Sequence, residues 1–260
     1  VSIKKIKMDG KYGIGQKPVK ITDAWVFVDN KLIGAFELPA KFPVLSVGEH
    51  QIAVQGGILI NGIASTRSYY PFYETYKKTI KLEAGKEFIE LDTIAITYMS
   101  ITKFMFSETF DSTVLQLDKT SSSDTNIIRT IDETIRYVDD GIYSGIVNLD
   151  NFNSSFEIVN TNNIRYNSNE VPVFLEMNYN SEIEFSVGLY IMVSSSSSVK
   201  YEHIKIRPTT EWNKIYINFT PKLNEYTAPV YFKLFISGTK NSDKGTAKLL
   251  FDNIRMVTFN

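Results

Sequence analysis

The residues of this 260-residue chain best equipped for chemistry are a few acids and clustered aromatics. Asp252 stands inside Leu249-Leu250-Phe251-Asp252-Asn253-Ile254-Arg255-Met256-Val257, a stretch that reads as a strand. A carboxylate in such a run needs a partner, because an uncompensated buried charge is costly. It caps backbone amides at a turn, pairs with Arg255, or holds a cation. Around Pro71 sit Tyr69, Tyr70, Phe72, Tyr73 and Tyr76. Rings this dense either cover a core or offer rigid contact area to a partner. A sugar site needs an aromatic platform beside groups that bind hydroxyls. Trp212, Tyr216, Tyr201, Tyr226 and Tyr231 are available for one. Trp212 begins a strand and reads as core, so Tyr201 and Tyr226, closer to loops, are the platform candidates.

Catalytic material is thin. The two histidines, His50 and His203, each fall within an expected strand, and no spacing singles out a pair of carboxylates. Gly13-Ile14-Gly15-Gln16 lacks the downstream glycine and helix of a phosphate-binding loop. The chain has no cysteine, which excludes disulfides, thiolate metal sites and a cysteine nucleophile. With 28 basic and 29 acidic residues the formal charge is -1 and no long run of either sign occurs, so nucleic acid is not an expected partner. No apolar run approaches the roughly 20 residues of a membrane-crossing helix. The chain starts at Val1, so any leader or membrane attachment is expected before it. The expectation is a non-enzyme.

The elements that must hold these residues read as strands throughout. Ala24-Trp25-Val26-Phe27-Val28 and Lys31-Leu32-Ile33-Gly34-Ala35-Phe36 flank Asp29-Asn30, residues that tolerate the left-handed backbone of a tight hairpin. Gly48 to Val54 follows as a strand, and the pattern loosens from Gln55 to Thr79. Lys78–Leu82 and Phe88–Leu91 alternate like a hairpin, and Thr93–Tyr98 closes a first module over residues 1–102. A second module, 103–260, carries strands near Gly141–Val147, Phe156–Val159, Val171–Met177, Ile183–Val193, Tyr201–Ile206, Trp212–Phe219, Val230–Ile236 and Lys248–Val257. Short strands with turn signals between them predict an all-β sandwich architecture.

"AWVFVDNKLIG" and "GEHQIAV" in the first module resemble small PEGA-like and other immunoglobulin-like modules. Phe106-Ser107-Glu108-Thr109-Phe110-Asp111 and the closing "LLFDNIRMV" resemble the first and last strands of carbohydrate-binding, galactose-binding-like jelly rolls. That resemblance implies a structural calcium, with Glu108, Asp111 and Asp252 as ligands and backbone carbonyls completing the six to eight oxygens calcium takes. The whole arrangement resembles a group of Bacteroidota outer-membrane lipoproteins. It implies a cell-surface location through a lipid anchor preceding Val1. It also implies an accessory or scaffold role in an outer-membrane transport or secretion complex, contacted through Tyr69, Tyr70, Phe72, Tyr73 and Tyr76. The alternative is surface glycan binding by the jelly roll through Tyr201 and Tyr226.

Overall fold

The computed structural model describes residues 1–9, 19–87, 91, 93–139, 141–167, 171–194, 197–227, 229–243 and 245–260. Gly13 to Gly15, the strand expected at Phe88 to Glu90 and the centre of the serine run lie outside the described residues. The chain divides into two compact units, Val1–Thr102 with Phe259–Asn260, and Lys103–Thr258.

The first unit contains β1 (Ser2–Ile3), β2 (Lys5–Met8), β3 (Asp23–Val28), β4 (Lys31–Glu37), β5 (Ala40–Lys41), β6 (Gly48–Leu59), β7 (Arg67–Tyr69), β8 (Tyr76–Leu82) and β9 (Thr93–Ile96). One sheet has the order β4-β3-β6-β7 with β8 also on β6; β1 pairs with β5, and β2 runs parallel to β9. Asp29 and Asn30 take positive φ of 48° and 66°, the conformation that closes the β3-β4 hairpin. The expected loosening after Val54 does not occur at Gly56-Gly57, which continue β6 opposite Ala24 and Asp23. A side chain on Gly57 would come within 2.8 Å of Asp23 and Trp25, so the missing Cβ is what admits that close approach.

The second unit contains β10 (Thr102–Glu108), β11 (Leu117–Lys119), β12 (Ile128–Thr130), β13 (Ser144–Leu149), β14 (Ser155–Asn160), β15 (Ile164–Tyr166), β16 (Phe174–Ser181), β17 (Phe185–Met192), β18 (Ser198–Ile206), β19 (Asn213–Asn218), the single helical turn α1 (Thr220–Leu223), β20 (Val230–Thr239) and β21 (Ala247–Phe259). One sheet runs β12-β13-β21-β16-β19 with β10 on β21. The other runs β11-β14-β20-β17-β18 with β15 on β20. Chain neighbours β13 and β14, β16 and β17, β18 and β19, and β20 and β21 each lie in different sheets, so the chain repeatedly crosses between layers. That strand order is a jelly roll, and the protein is all-β. Alternate residues of both sheets fill the space between them, where the Phe185 and Phe251 ring centroids lie 5.4 Å apart. No helix among the described residues is long and apolar enough to cross a membrane.

Candidate functional site

Strand periodicity decides which side chains of the second sheet face away from the core. Phe156, Ile158, Phe185, Val187, Leu189, Leu234 and Ile236 belong to the core, so the residues between them point outward. Register then aligns Glu157, Ser237, Ser186 and Lys205 in one row across β14, β20, β17 and β18. Val159, Phe235, Gly188 and Glu202 form the next row, and Lys233, Tyr190 and Lys200 the one after.

Gly188 shapes this face. A Cβ there would lie 2.1 Å from the Tyr201 carbonyl oxygen and 2.6 Å from the Phe235 ring. Phe235 therefore lies over the gap, fully buried although it faces outward, with the Tyr190 ring 5.3 Å away and the Lys200 ammonium 4.7 Å from its centroid. Across this apolar plate Glu157 is paired with Lys200 and accepts hydrogen bonds from Tyr190 Oη at 2.7 Å and Thr120 Oγ1 at 3.0 Å. Burial pushes the Glu157 carboxyl up, but the hydrogen bonds of Lys200, Tyr190 and Thr120 and the Lys200 charge outweigh it and hold the carboxyl below the usual range. Burial likewise acts first on Tyr190, raising its hydroxyl, and the bond to Glu157 adds to that shift.

A depressed folded-state pKa contributes stability that is present above the ordinary glutamate range and is lost as pH falls through the folded value. Acid melts should therefore show a steeper loss on the acidic side in the native protein than in Glu157→Gln. Parallel acid limbs would mean that the cluster contributes no linkage.

Beside this cluster lies a groove of about 750 Å³ whose walls include Glu157, Glu182, Glu184, Ser186, Lys200, Glu202, Lys205, Ser237, Thr239 and Asn241. Four carboxylates, two ammonium groups, hydroxyls and an amide thus converge on one cleft. The row Glu157-Ser237-Ser186-Lys205 was not identified from sequence. The legible signal was the alternation of β17 and β20, which places Ser186 and Ser237 outward; their alignment with Glu157 required the strand order. The first unit has a smaller groove, about 530 Å³, between Pro43–Val47 and Leu82–Lys86.

The metal site expected from the resemblance is not assembled. Glu108 is buried and accepts the Phe110 and Gln116 amides at 2.7 and 2.6 Å. Asp111 accepts the Ile142 and Tyr143 amides at 2.8 and 3.2 Å. Asp252, also buried, accepts Ser144 Oγ and the Asn253 amide, both at 2.7 Å. Each carboxylate thus has its own separate hydrogen-bond partners, and among the described residues no three acidic or histidine side chains are grouped to hold a metal ion. Arg255 donates to Asn253 Oδ1 at 2.5 Å.

The aromatic loop is also corrected. Tyr70, Phe72 and Tyr73 are 1%, 0% and 4% exposed, and their rings pack edge to face, with centroids 5.1 Å apart for Tyr70 and Phe72 and 4.7 Å for Tyr70 and Tyr73. Tyr73 also meets Tyr98, and Phe72 meets Phe259. These three rings are core and have no area left for a partner. Tyr69 is exposed against the edge of Trp25, and Tyr76 is half-buried at the start of β8.

Tyr201 and Tyr226 do come together. Lys222 places its ammonium 4.5 and 5.6 Å from their two ring centroids, and both rings pack against the core. The Lys222 ammonium thus occupies ring surface that a sugar platform would need. His203, which bonds Tyr201 Oη at 3.2 Å, lies against Phe219, and burial pushes its imidazole down. His50 bonds Asp29 at 2.7 Å and Ser46 at 2.6 Å at the turn of the β3-β4 hairpin. Trp212 lies half-buried beside Tyr137 and donates to the Ile135 carbonyl at 2.9 Å, outside the inter-sheet core in which the sequence placed it.

No protein-family model matches the chain. No curated protein matches it either. Among solved structures it is similar to a family 61 carbohydrate-binding module in complex with β-1,4-galactotriose, at 11% identity and a TM-score of 0.34 over 54% of this chain and 85% of the other. It is similar to a family 29 carbohydrate-binding module at 11% identity and TM-score 0.35, over 60% and 90%. A family 4 carbohydrate-binding module aligns at 9% identity and TM-score 0.37, over 55% and 94%. Likenesses this distant carry no argument of their own, and the fold rests on the strand order described above.

Proposed function

We propose that this protein binds a neutral glycan, without cleaving it, in the groove on the outward face of the β14-β20-β17-β18 sheet. The observation that carries this reading is the convergence of carboxylate, amide and hydroxyl groups on a cleft large enough for a sugar. Carboxylates and amides of this kind match the donors and acceptors of sugar hydroxyls. The groove walls carry Glu157, Glu182, Glu184 and Glu202 against Lys200 and Lys205, an excess of negative charge that disfavours uronate and sulfate groups.

Cleavage would need a general acid with a raised pKa. Burial pushes the Glu157 carboxyl up, but its bonds to Lys200, Tyr190 and Thr120 hold it below the usual range, the opposite of what a general acid needs. The docking role expected of Tyr69 to Tyr76 is not carried forward, because three of those five rings are core. Lipid-anchored placement on the outer membrane and an immunoglobulin-like character for the first unit belong to the same proposal, on the resemblance given above.

Affinity electrophoresis through gels containing glucan, mannan, galactan or a polyuronate tests the reading. Retardation is expected in at least one neutral gel and not in the polyuronate, with no release of reducing ends. Glu184 and Glu202 are exposed, so replacing both with Ala should leave the melting midpoint unchanged. It should weaken binding about tenfold or more, as the loss of one or two charge-assisted hydrogen bonds predicts. Retardation by the polyuronate alone, or by none of the gels, would refute it.

A further inference from the structure

The groove has polar walls but no exposed ring of its own, since Phe156 and Phe185, which border it, are 2% and 1% exposed. An exposed ring stands on the turn between β13 and β14, which hydrogen bonds join to strand ends that line the groove. Phe152 there is 93% exposed. A single exposed apolar residue needs no explanation. What distinguishes Phe152 is the rigidity of the turn beneath it. Asp150 Oδ1 accepts the amides of Phe152 and Asn153, both at 2.7 Å, and the Asp150 amide donates back to the Asn153 carbonyl at 3.0 Å. The Asn153 and Phe152 amides hold the Asp150 carboxyl below its usual range.

The turn is also bolted to the end of the groove. The Lys240 amide donates to the Ser154 carbonyl at 2.8 Å, and the buried Lys240 ammonium donates to Asn151 Oδ1 at 3.1 Å. Thr239 and Asn241, on either side of Lys240, line the groove, and so does Ser155, three residues after Phe152. Asp150 and Asn153 supply the hydrogen bonding of the turn, while the Phe152 ring, almost wholly in solvent, adds nothing to the fold.

We infer that Phe152 is the stacking residue of the glycan site: its ring, carried on this hydrogen-bonded turn, covers the apolar C–H face of a hexopyranose whose hydroxyls are bound by the adjoining groove. This rests on the proposed glycan function and adds to it the ring that the groove lacks. A ring carried on a turn whose backbone is already fixed has only its side-chain torsions to lose on contact, which makes it a suitable anchor. The phenyl group has no polar tip, so it fits a neutral sugar face.

The test compares the native protein, Phe152→Ala, Phe152→Trp and the Glu184→Ala, Glu202→Ala double variant on the neutral polysaccharide that retards the native chain, with thermal midpoints measured alongside. Phe152→Ala should bind about tenfold or more weakly at an unchanged midpoint, as an aromatic anchor predicts, and Phe152→Trp should retain or strengthen binding. Equal binding by Phe152→Ala while the double variant loses affinity would overturn the role of Phe152 and leave the groove standing. Loss in Phe152→Ala with an unaffected double variant would uphold the ring and remove the groove. A native protein retarded by no neutral polysaccharide would overturn both.

Discussion

Phe72→Ala is expected to destabilise the first unit by about 3–5 kcal/mol, the usual loss for a fully buried aromatic. The ring is 0% exposed and contacts Tyr70 and Phe259 at centroid distances of 5.1 and 4.8 Å. Removing it leaves a cavity that the surrounding β-structure cannot readily collapse into, because Tyr70 and Tyr73 are held against each other and Tyr73 against Tyr98. For a unit of about 100 residues the melting midpoint should fall roughly 4–8 °C per kcal/mol lost. Tyr73→Ser should behave similarly. Tyr69→Ser, at an exposed position, should stay within about 0.5 kcal/mol of the native protein. Denaturant melts measure all three, and a cost below about 1 kcal/mol for Phe72→Ala would show that these rings are not core. This reverses the sequence-based expectation, in which Tyr73 belonged to a contact loop.

The second large effect concerns an ion pair inside the other unit. Glu176 on β16 and Lys214 on β19 lie at 2.8 Å with side chains 0% and 6% exposed. A buried pair adds little net stability, since desolvating two charges offsets most of their attraction. Removing one partner is different, because it leaves an ammonium in a low-dielectric site. Glu176→Ala should therefore destabilise the second unit by about 3–5 kcal/mol, whereas the combined Glu176→Leu, Lys214→Met change should be near neutral or stabilising. A double-mutant cycle on melting free energies reads the coupling directly. If the single and double variants lose the same amount, the site is acting through packing and not through charge.

Neither residue was marked by the sequence reading, and the reason bears on how much of this protein its sequence discloses. Elements specified by near neighbours were legible. Alternation over Ile183–Val193 and Val230–Ile236 predicts β17 and β20, and Asp29-Asn30 predicts the hairpin that their positive φ values now display. Three-residue strands such as Leu117–Lys119 and Ile164–Tyr166 were missed, because so short a segment carries no period and is strand only by virtue of β14 or β20 beside it.

The site was less legible than the fold. Strand alternation sets which residues face outward but not what stands next to them, and Glu157 reaches Lys200 from 43 positions away only because β14, β20, β17 and β18 lie side by side. The same holds for Asp252, which accepts the Ser144 hydroxyl from 108 positions away. The aromatic run at Tyr69 to Tyr76 shows the limit most plainly, since identical residues serve a core or an interface according to what covers them. By itself the sequence determined an all-β chain with its principal strands and turns, through short-range periodicity and backbone preference. The tertiary structure alone decided which charges pair, which rings are buried and where a groove opens, because each of those depends on strand order and register across the sheets.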